Sequence, residues 1–345
     1  MSTPRTYREA GVDIAEGERA VERITRAAAA TLTPAVLGGI GGFGGLFRFD
    51  PDLYTEPVLV SSTDGVGTKL LVAVTLGRHD TIGVDLVNAC LNDIAVSGAD
   101  PLFFLDYLAL GDLRAEVVEE IVGGVAAGCA AAGIPLIGGE TAQMPDLYRD
   151  SHYDLAGFAV GVVARADLID GSRVRAGDVV IGLPSSGLHT NGYSLARRVL
   201  LPETWARPMN GDGVTIGDAL LEPHRFYLDD VRALRRALRA AGGDIHALAH
   251  ITGGGWEGNV SRTLPGGLGV DVETGSWPVP RIFTLIQQRG DIADEEMVRT
   301  FNLGIGMTAV VPADLVNEAL DAVPDACRIG RVIEAPQGEP RVRFA

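Results

Sequence analysis

Residues 57–69 read PVLVSSTDGVGTK, and residues 84–110 read VDLVNACLNDIAVSGADPLFFLDYLAL. The first is an apolar strand that runs into a carboxylate, two glycines, a hydroxyl and an ammonium. The second joins a helical pattern over 84–99 to a buried strand over 101–110. Working outward, residues 1–37 carry an amphipathic helical pattern that stops at Leu32-Thr33-Pro34, and 46–49 reads as a short strand. Downstream come a helix over 114–132, a strand over 134–137 running into Gly138-Gly-Glu-Thr141, and a strand over 154–163. Helices and strands therefore alternate, which predicts an α/β architecture. A polar, turn-rich segment over 167–177 divides the chain into two α/β domains, 1–168 and 169–345. The second half restarts with a strand over 178–183, a helix from Tyr193, and a helix over 222–241 with Arg on its outer face. A glycine turn over 251–256 leads into another helix, and strands follow near 269–272, 303–311 and 327–332.

Composition narrows the classes of function. The 345 residues carry a net charge of −16, so nucleic acid and anionic membrane surfaces are poor partners. The uncharged stretch Val122 to Gly139 contains Pro135 and several glycines and reads as helix plus strand, not a membrane span. The N-terminus has charges where a signal peptide would have an apolar core. Cys90, Cys129 and Cys327 lie far apart without CxxC spacing, as expected of reduced thiols in a cytoplasmic protein. Of 29 basic residues, 28 are Arg, and Lys69 is the single Lys. A merely solvated cation would have been Arg in this chain.

The glycine run at 37–46 holds a decoy. Gly39-Ile-Gly41-Gly-Phe43-Gly44 matches G-x-G-x-x-G, yet no strand feeds it, and Pro51 and Pro57 interrupt the segment where a dinucleotide fingerprint needs a helix. Asp64-Gly65-Val66-Gly67-Thr68-Lys69 is the sharper signal. Its glycines let backbone amides approach a phosphate, and Lys69 offers a compact point charge beside it. On the helix over 84–99, Asp85, Asn88 and Asn92 fall within about 60° of one another, and Asp93 lies about 80° from Asp85. These weak helix formers make either a solvated face or a set of hard oxygen ligands. With Glu140 at a neighbouring strand end, Asp64 and Asp93 suggest a Mg²⁺–triphosphate site. In the second half, Ser185-Ser186-Gly-Leu-His189-Thr-Asn191 and Thr252-Gly-Gly-Gly255 are turns opening helices, read either as plain turn chemistry or as anion sites. His224, His246 and His250 read as structural or surface residues, and the i,i+4 spacing of His246 and His250 lacks a third ligand.

TYREAGVDIAEG, LGGIGGFGG, PVLVSSTDGVGTKL, IGGETAQMP, YDLAGFAVGVV, LPSSGLHTNGYSL and HITGGGWEGN together resemble the phosphoribosylformylglycinamidine cyclo-ligases, also called aminoimidazole ribonucleotide synthetases. The likeness runs in order from about Tyr7 to the C-terminus, with Trp256 where the pattern would begin with Phe. It implies a cytoplasmic homodimer whose N-terminal sheets pair into a shared barrel, followed by a C-terminal α/β domain. It also implies ATP-dependent cyclisation of formylglycinamidine ribonucleotide, with release of ADP and phosphate. On that reading Gly41, Gly42, Phe43, Gly44, Asp64, Gly65, Gly67, Thr68, Lys69 and Asn92 hold the nucleotide. Asp64, Asp93 and Glu140 hold Mg²⁺, and Lys69 meets the transferring phosphate. Ser186, His189 and Asn191 hold the substrate, with His189 as a proton acceptor. A small-molecule kinase of the same ATP-binding superfamily and a non-catalytic nucleotide-binding dimer are the alternatives.

Overall fold

Residues 5–39, 41–209 and 213–345 are described in a computed structural model of the chain. It divides into an N-terminal unit, residues 1–94 and 100–164, and a C-terminal unit, residues 95–99 and 165–345.

In the N-terminal unit the elements are α1 (Ile14–Ala29), β1 (Pro57–Gly65), α2 (Leu70–Leu76), α3 (Ile82–Ala95), β2 (Asp100–Leu110), α4 (Ala115–Ala132), β3 (Leu136–Gln143) and β4 (Tyr153–Ala164). The sheet order is β1-β4-β2-β3, with β2 and β3 parallel and the other pairs antiparallel. Asp13 caps α1 by accepting from the amides of Ala15 and Glu16. Glu16 in turn accepts from the amide of Ala115 at 2.7 Å, closing the start of α4, whose own N-cap Arg114 offers no side-chain bond. Ile82, Leu86, Cys90, Leu91 and Ile94 are fully buried, so α3 is apolar well beyond a single stripe. A Cβ at Gly83 would overlap the backbone of Ile121, Gly124 and Val125, which is why α3 and α4 can cross so closely. One face of the sheet is covered by helix: a Cβ at Gly157 would strike Leu86 of α3. On the other face Leu59 is 65% and Phe158 44% exposed.

The C-terminal unit contains β5 (Val179–Pro184), α5 (Tyr193–Val199), α6 (Ile216–Leu221), α7 (Leu228–Ala240), β6 (Ala247–His250), α8 (Gly255–Val260) and β7 (Leu268–Val272). It continues with α9 (Arg281–Gly290), α10 (Asp294–Thr300), β8 (Ile305–Val311), α11 (Val316–Ala322), β9 (Cys327–Glu334) and β10 (Val342–Phe344). The six strands run β10-β7-β9-β5-β8-β6. Val179, Ile181 and Leu183 face a core with Leu234 and Leu238 of α7, while Val180 faces the opposite core with Trp256 and Ile329. Both faces are covered, so the period-2 alternation of polarity disappears from the sequence. No helix among the described residues is long and apolar enough to cross a membrane.

The mixed α/β reading holds, and several local expectations change. The helix expected over 1–37 occupies only Ile14–Ala29 among the described residues, and 46–49 contributes a single bridge, Val36 to Phe47, instead of a strand. The helix read over 84–99 ends at Ala95, before Gly98 at φ +75°. That over 222–241 starts only at Leu228, beyond Pro223. β3 does not stop at Gly138-Gly139: it continues to Gln143, and Glu140 is therefore a strand residue.

Candidate active site

At the end of β1 the chain bends at Gly67, which has φ +65°, and enters α2. The bend carries Lys69 inward. Its side chain is fully buried, with Nζ 2.8 Å from each carboxylate oxygen of Asp85, which is equally buried. Lys69 therefore does not present a solvent-facing ammonium to a phosphate. Two ions taken out of water are tolerated only when they neutralise each other at short range. The pair ties the turn after β1 to α3, and a compact ammonium fits where a guanidinium fork would need more volume.

The polar positions of α3 are not a solvated face. Asp85 and Asn92 are fully buried and Asn88 nearly so. Asp93 is partly exposed and accepts from the Ser62 hydroxyl at 3.4 Å. Asp64 turns one oxygen onto the amide of Gly65 at 2.7 Å. The thiol of Cys90 lies near both Asp64 and Asp93: burial first, then these two carboxylates, push it far above the ordinary range. Cys90 is therefore an inert thiol.

Glu140 is not in that group. The rows Asp64–Gly157–Asp106–Gly139 and Gly65–Ala156–Tyr107–Glu140 run straight across the sheet. β1 and β3 form opposite edges, three strand spacings or roughly 14 Å apart. Adjacent rows also point to opposite faces, so Asp64 shares the helix-covered side with Ser62, while Glu140 points to the open one. Within one chain, strand order therefore sets Glu140 apart from Asp64.

Glu140 instead lines a cleft of about 720 Å³ with Gly41, Gly42, Phe43, Gly44 and Asp106. Phe43 is fully exposed. Among the described residues no α-helix follows the glycine run before β1, which removes the dinucleotide fingerprint. Asp106 is more than nine-tenths buried, and burial pushes its carboxyl up to about 7.

In the C-terminal unit the turn after β5 is built on hydrogen bonds. The Ser185 hydroxyl donates to Asn302 Oδ1 at 2.9 Å, and the Ser186 hydroxyl to the Pro223 carbonyl. His189 stands at φ +63°, a left-handed conformation rare outside glycine, and is fully buried. Its Nε2 accepts from the Ser186 amide at 3.2 Å, and its ring stacks on His224 with centroids 3.9 Å apart. Asn191 donates to the Thr190 hydroxyl at 3.4 Å. His224 and His250 share a 2.9 Å contact between Nε2 atoms. The sequence reading did not join them to His189, since 26 residues separate His224 from His250 and only the fold brings them together. Among the described residues, His189, His224 and His250 are the one His/Cys/Asp/Glu trio with ligand atoms all within 4.8 Å. The near-parallel stack of His189 on His224 keeps their in-plane lone pairs from converging on one ion. His246, read with His250 as an i,i+4 pair, instead meets Asp178 at 2.7 Å.

The family profile described as AIR synthase related protein, N-terminal domain, matches residues 45–163, and that of the C-terminal domain matches 175–343. The chain belongs to the AIR synthase family. A relative from Anaeromyxobacter dehalogenans, named phosphoribosylformylglycinamidine cyclo-ligase, is 57% identical over 90% of this chain and 89% of its own length. Another of that name from Desulfitobacterium hafniense is 52% identical over 93% of this chain and 94% of its own length. Among solved structures, E. coli HypE, a hydrogenase maturation protein, aligns with TM-score 0.66 at 21% identity, covering 94% of this chain and 91% of that one. Thiamine-monophosphate kinase from Stenotrophomonas maltophilia K279a aligns with TM-score 0.63 at 20% identity, covering 94% and 95%. At such identity these two share the fold alone. For this AIR synthase family member, the chemistry on hand is a pair of hard carboxylates, a glycine loop beside a cleft, and a turn rich in hydroxyl, amide and imidazole groups.

Proposed function

We propose that the chain catalyses the ATP-dependent cyclisation of formylglycinamidine ribonucleotide to 5-aminoimidazole ribonucleotide, releasing ADP and phosphate, in the cytoplasmic synthesis of purines. The observation that carries this is identity of 50–57% over at least nine-tenths of the chain to proteins named for that activity. A kinase reading has only fold-level similarity behind it.

An amide oxygen is a poor leaving group. Transfer of the γ-phosphoryl group to the formyl oxygen, with departure of ADP, turns it into a good one. The ribosyl nitrogen then attacks the formyl carbon, loses its proton, and the C–O bond breaks to release phosphate. Phosphoryl transfer needs positioning and charge neutralisation above all. The glycine loop with Gly41, Gly42, Phe43 and Gly44 covers the nucleotide and excludes water, which would hydrolyse the activated intermediate. The Gly65–Thr68 turn supplies amides and a hydroxyl to the phosphates. Lys69 acts through Asp85, fixing this turn against α3, and Asn92 braces the same buried face. Asp64 and Asp93 provide the hard oxygens that Mg²⁺ prefers, whose charge would offset that of the triphosphate. Ser186 and Asn191 orient the substrate. His189 shapes the turn around them, its Nε2 already accepting from Ser186.

The open sheet face with Leu59 and Phe158 supports a homodimer joined through the N-terminal sheets. Glu140 lies toward that face, so its part in metal binding would be played across the dimer.

The test is ADP release measured on adding formylglycinamidine ribonucleotide, with identification of the product. Substrate-dependent ADP and free phosphate, with an aminoimidazole product, are expected. A phosphorylated product would establish a kinase instead, and substrate-independent turnover would remove the assignment.

A further inference from the structure

The C-terminal unit holds a cleft of about 1070 Å³ that the reaction set out above does not use, and none of Ser186, His189 and Asn191 lines it. Trp256 of α8, Trp277 and Phe344 of β10 form an aromatic wall. The two indoles stack with centroids 5.5 Å apart, and Phe344 meets Trp256 edge-on at 5.4 Å. Trp256 is 1% exposed, and its Nε1 has no hydrogen-bond partner among the described residues. The other two indoles differ. Trp205 donates to the Leu200 carbonyl at 2.7 Å, and Trp277 to the Leu303 carbonyl at 2.9 Å. A buried N–H that donates to nothing is costly, and an indole nitrogen can only donate, so the group that completes it is an acceptor.

The rim of the cleft carries Glu257, Asp294 and Glu295, all exposed, against one lining cation, Arg299. Glu257 already accepts from the amides of Arg341 and Val342, which leaves Asp294 and Glu295 facing a ligand. An apolar wall with one buried donor suits a flat heterocycle bearing an acceptor. Carboxylates at the mouth suit sugar hydroxyls and disfavour phosphate. We propose that this cleft binds an uncharged nucleoside. Its base lies against the aromatic wall, a ring nitrogen or oxo group accepting from Trp256 Nε1, and its ribose hydroxyls donate to Asp294 or Glu295. This site is separate from the reaction and does not rest on the ATP reading.

The experiment follows the three indole N–H signals of the full chain, carrying ¹⁵N-labelled Trp, by NMR. Adenosine and AMP are titrated separately, with ATP and Mg²⁺ present throughout so that a nucleotide site elsewhere is filled. The signal missing from Trp256→Phe identifies Trp256. Adenosine should move the Trp256 signal to lower field, as expected of a new hydrogen bond, and leave that of Trp205 in place. AMP should bind ~5-fold more weakly than adenosine, and Asp294→Asn with Glu295→Gln should narrow that gap. Trp256→Phe should weaken adenosine ~5-fold, the loss of one hydrogen bond. A Trp256 signal unmoved at millimolar adenosine overturns the proposal. So does AMP binding as tightly as adenosine, or Trp256→Phe binding adenosine as tightly as wild type. Should Trp256→Phe fail to fold, the comparison of adenosine with AMP in wild type and in the rim variant decides.

Discussion

Lys69 and Asp85 show how a lone residue type can mislead about position. The single Lys pointed to a special role, and its place after Asp64 in a glycine turn suggested a phosphate contact. Asp85, sixteen positions later, is the partner that the turn and α3 bring to it. Removing one member of such a buried pair strands the other charge, and Lys69→Met should cost about 3–5 kcal/mol. Lys69→Met combined with Asp85→Leu should recover much of that loss in denaturant unfolding while turnover stays low. Stability of the double variant no better than the single one would argue against the pair. Lys69→Arg keeps the charge but adds volume in a fully buried space, so stability should fall by about 1–3 kcal/mol, with most turnover lost. Asp106 makes a prediction in pH. Its folded pKa of about 7 lies above the ordinary 3.8, so between those values the folded state binds more protons. Stability then falls as pH rises from about 4 to about 7, by an amount on the order of a few kcal/mol. Denaturant unfolding at pH 5 and pH 7.5 should show a smaller drop for Asp106→Asn, and equal drops would contradict the assignment.

At the scale of elements, β3 separates what sequence can show from what it cannot. β1, β2, β4 and β5 announce themselves as apolar runs bounded by turn residues. β3 was legible over 134–137, but its continuation to Gln143 hides because Gly138-Gly139 looks like a breaker, and the reason lies in another strand: the Asp106 carboxyl occupies the space a side chain would fill. Gly139→Ala should therefore destabilise the N-terminal unit by about 1–3 kcal/mol, measured by unfolding, although Ala is the better strand former. A neutral effect would mean that Asp106 can move aside. The same limit hid the histidine group. His189 was legible from its loop, but His224 and His250 join it only through the packing of the C-terminal unit. The buried polar face of α3 was legible as an anomaly, not as an interior. Strand order likewise decided Glu140, since no spacing along the chain tells which edge of a sheet a strand will take.

For the whole molecule, the open face of the N-terminal sheet is the feature a monomer leaves unexplained. Phe158→Glu, placing a charge on that face, should shift the sedimenting species from dimer to monomer and reduce turnover. A wild-type monomer would remove the shared-barrel expectation and leave Glu140 without a metal role. The central claim remains chemical: the formyl oxygen becomes a leaving group by accepting the γ-phosphoryl group of ATP. Substrate carrying ¹⁸O in its formyl group tests this most directly. Turnover should place the label in the released inorganic phosphate, one atom per aminoimidazole ribonucleotide formed. Label found in water, with unlabelled phosphate, would contradict the account.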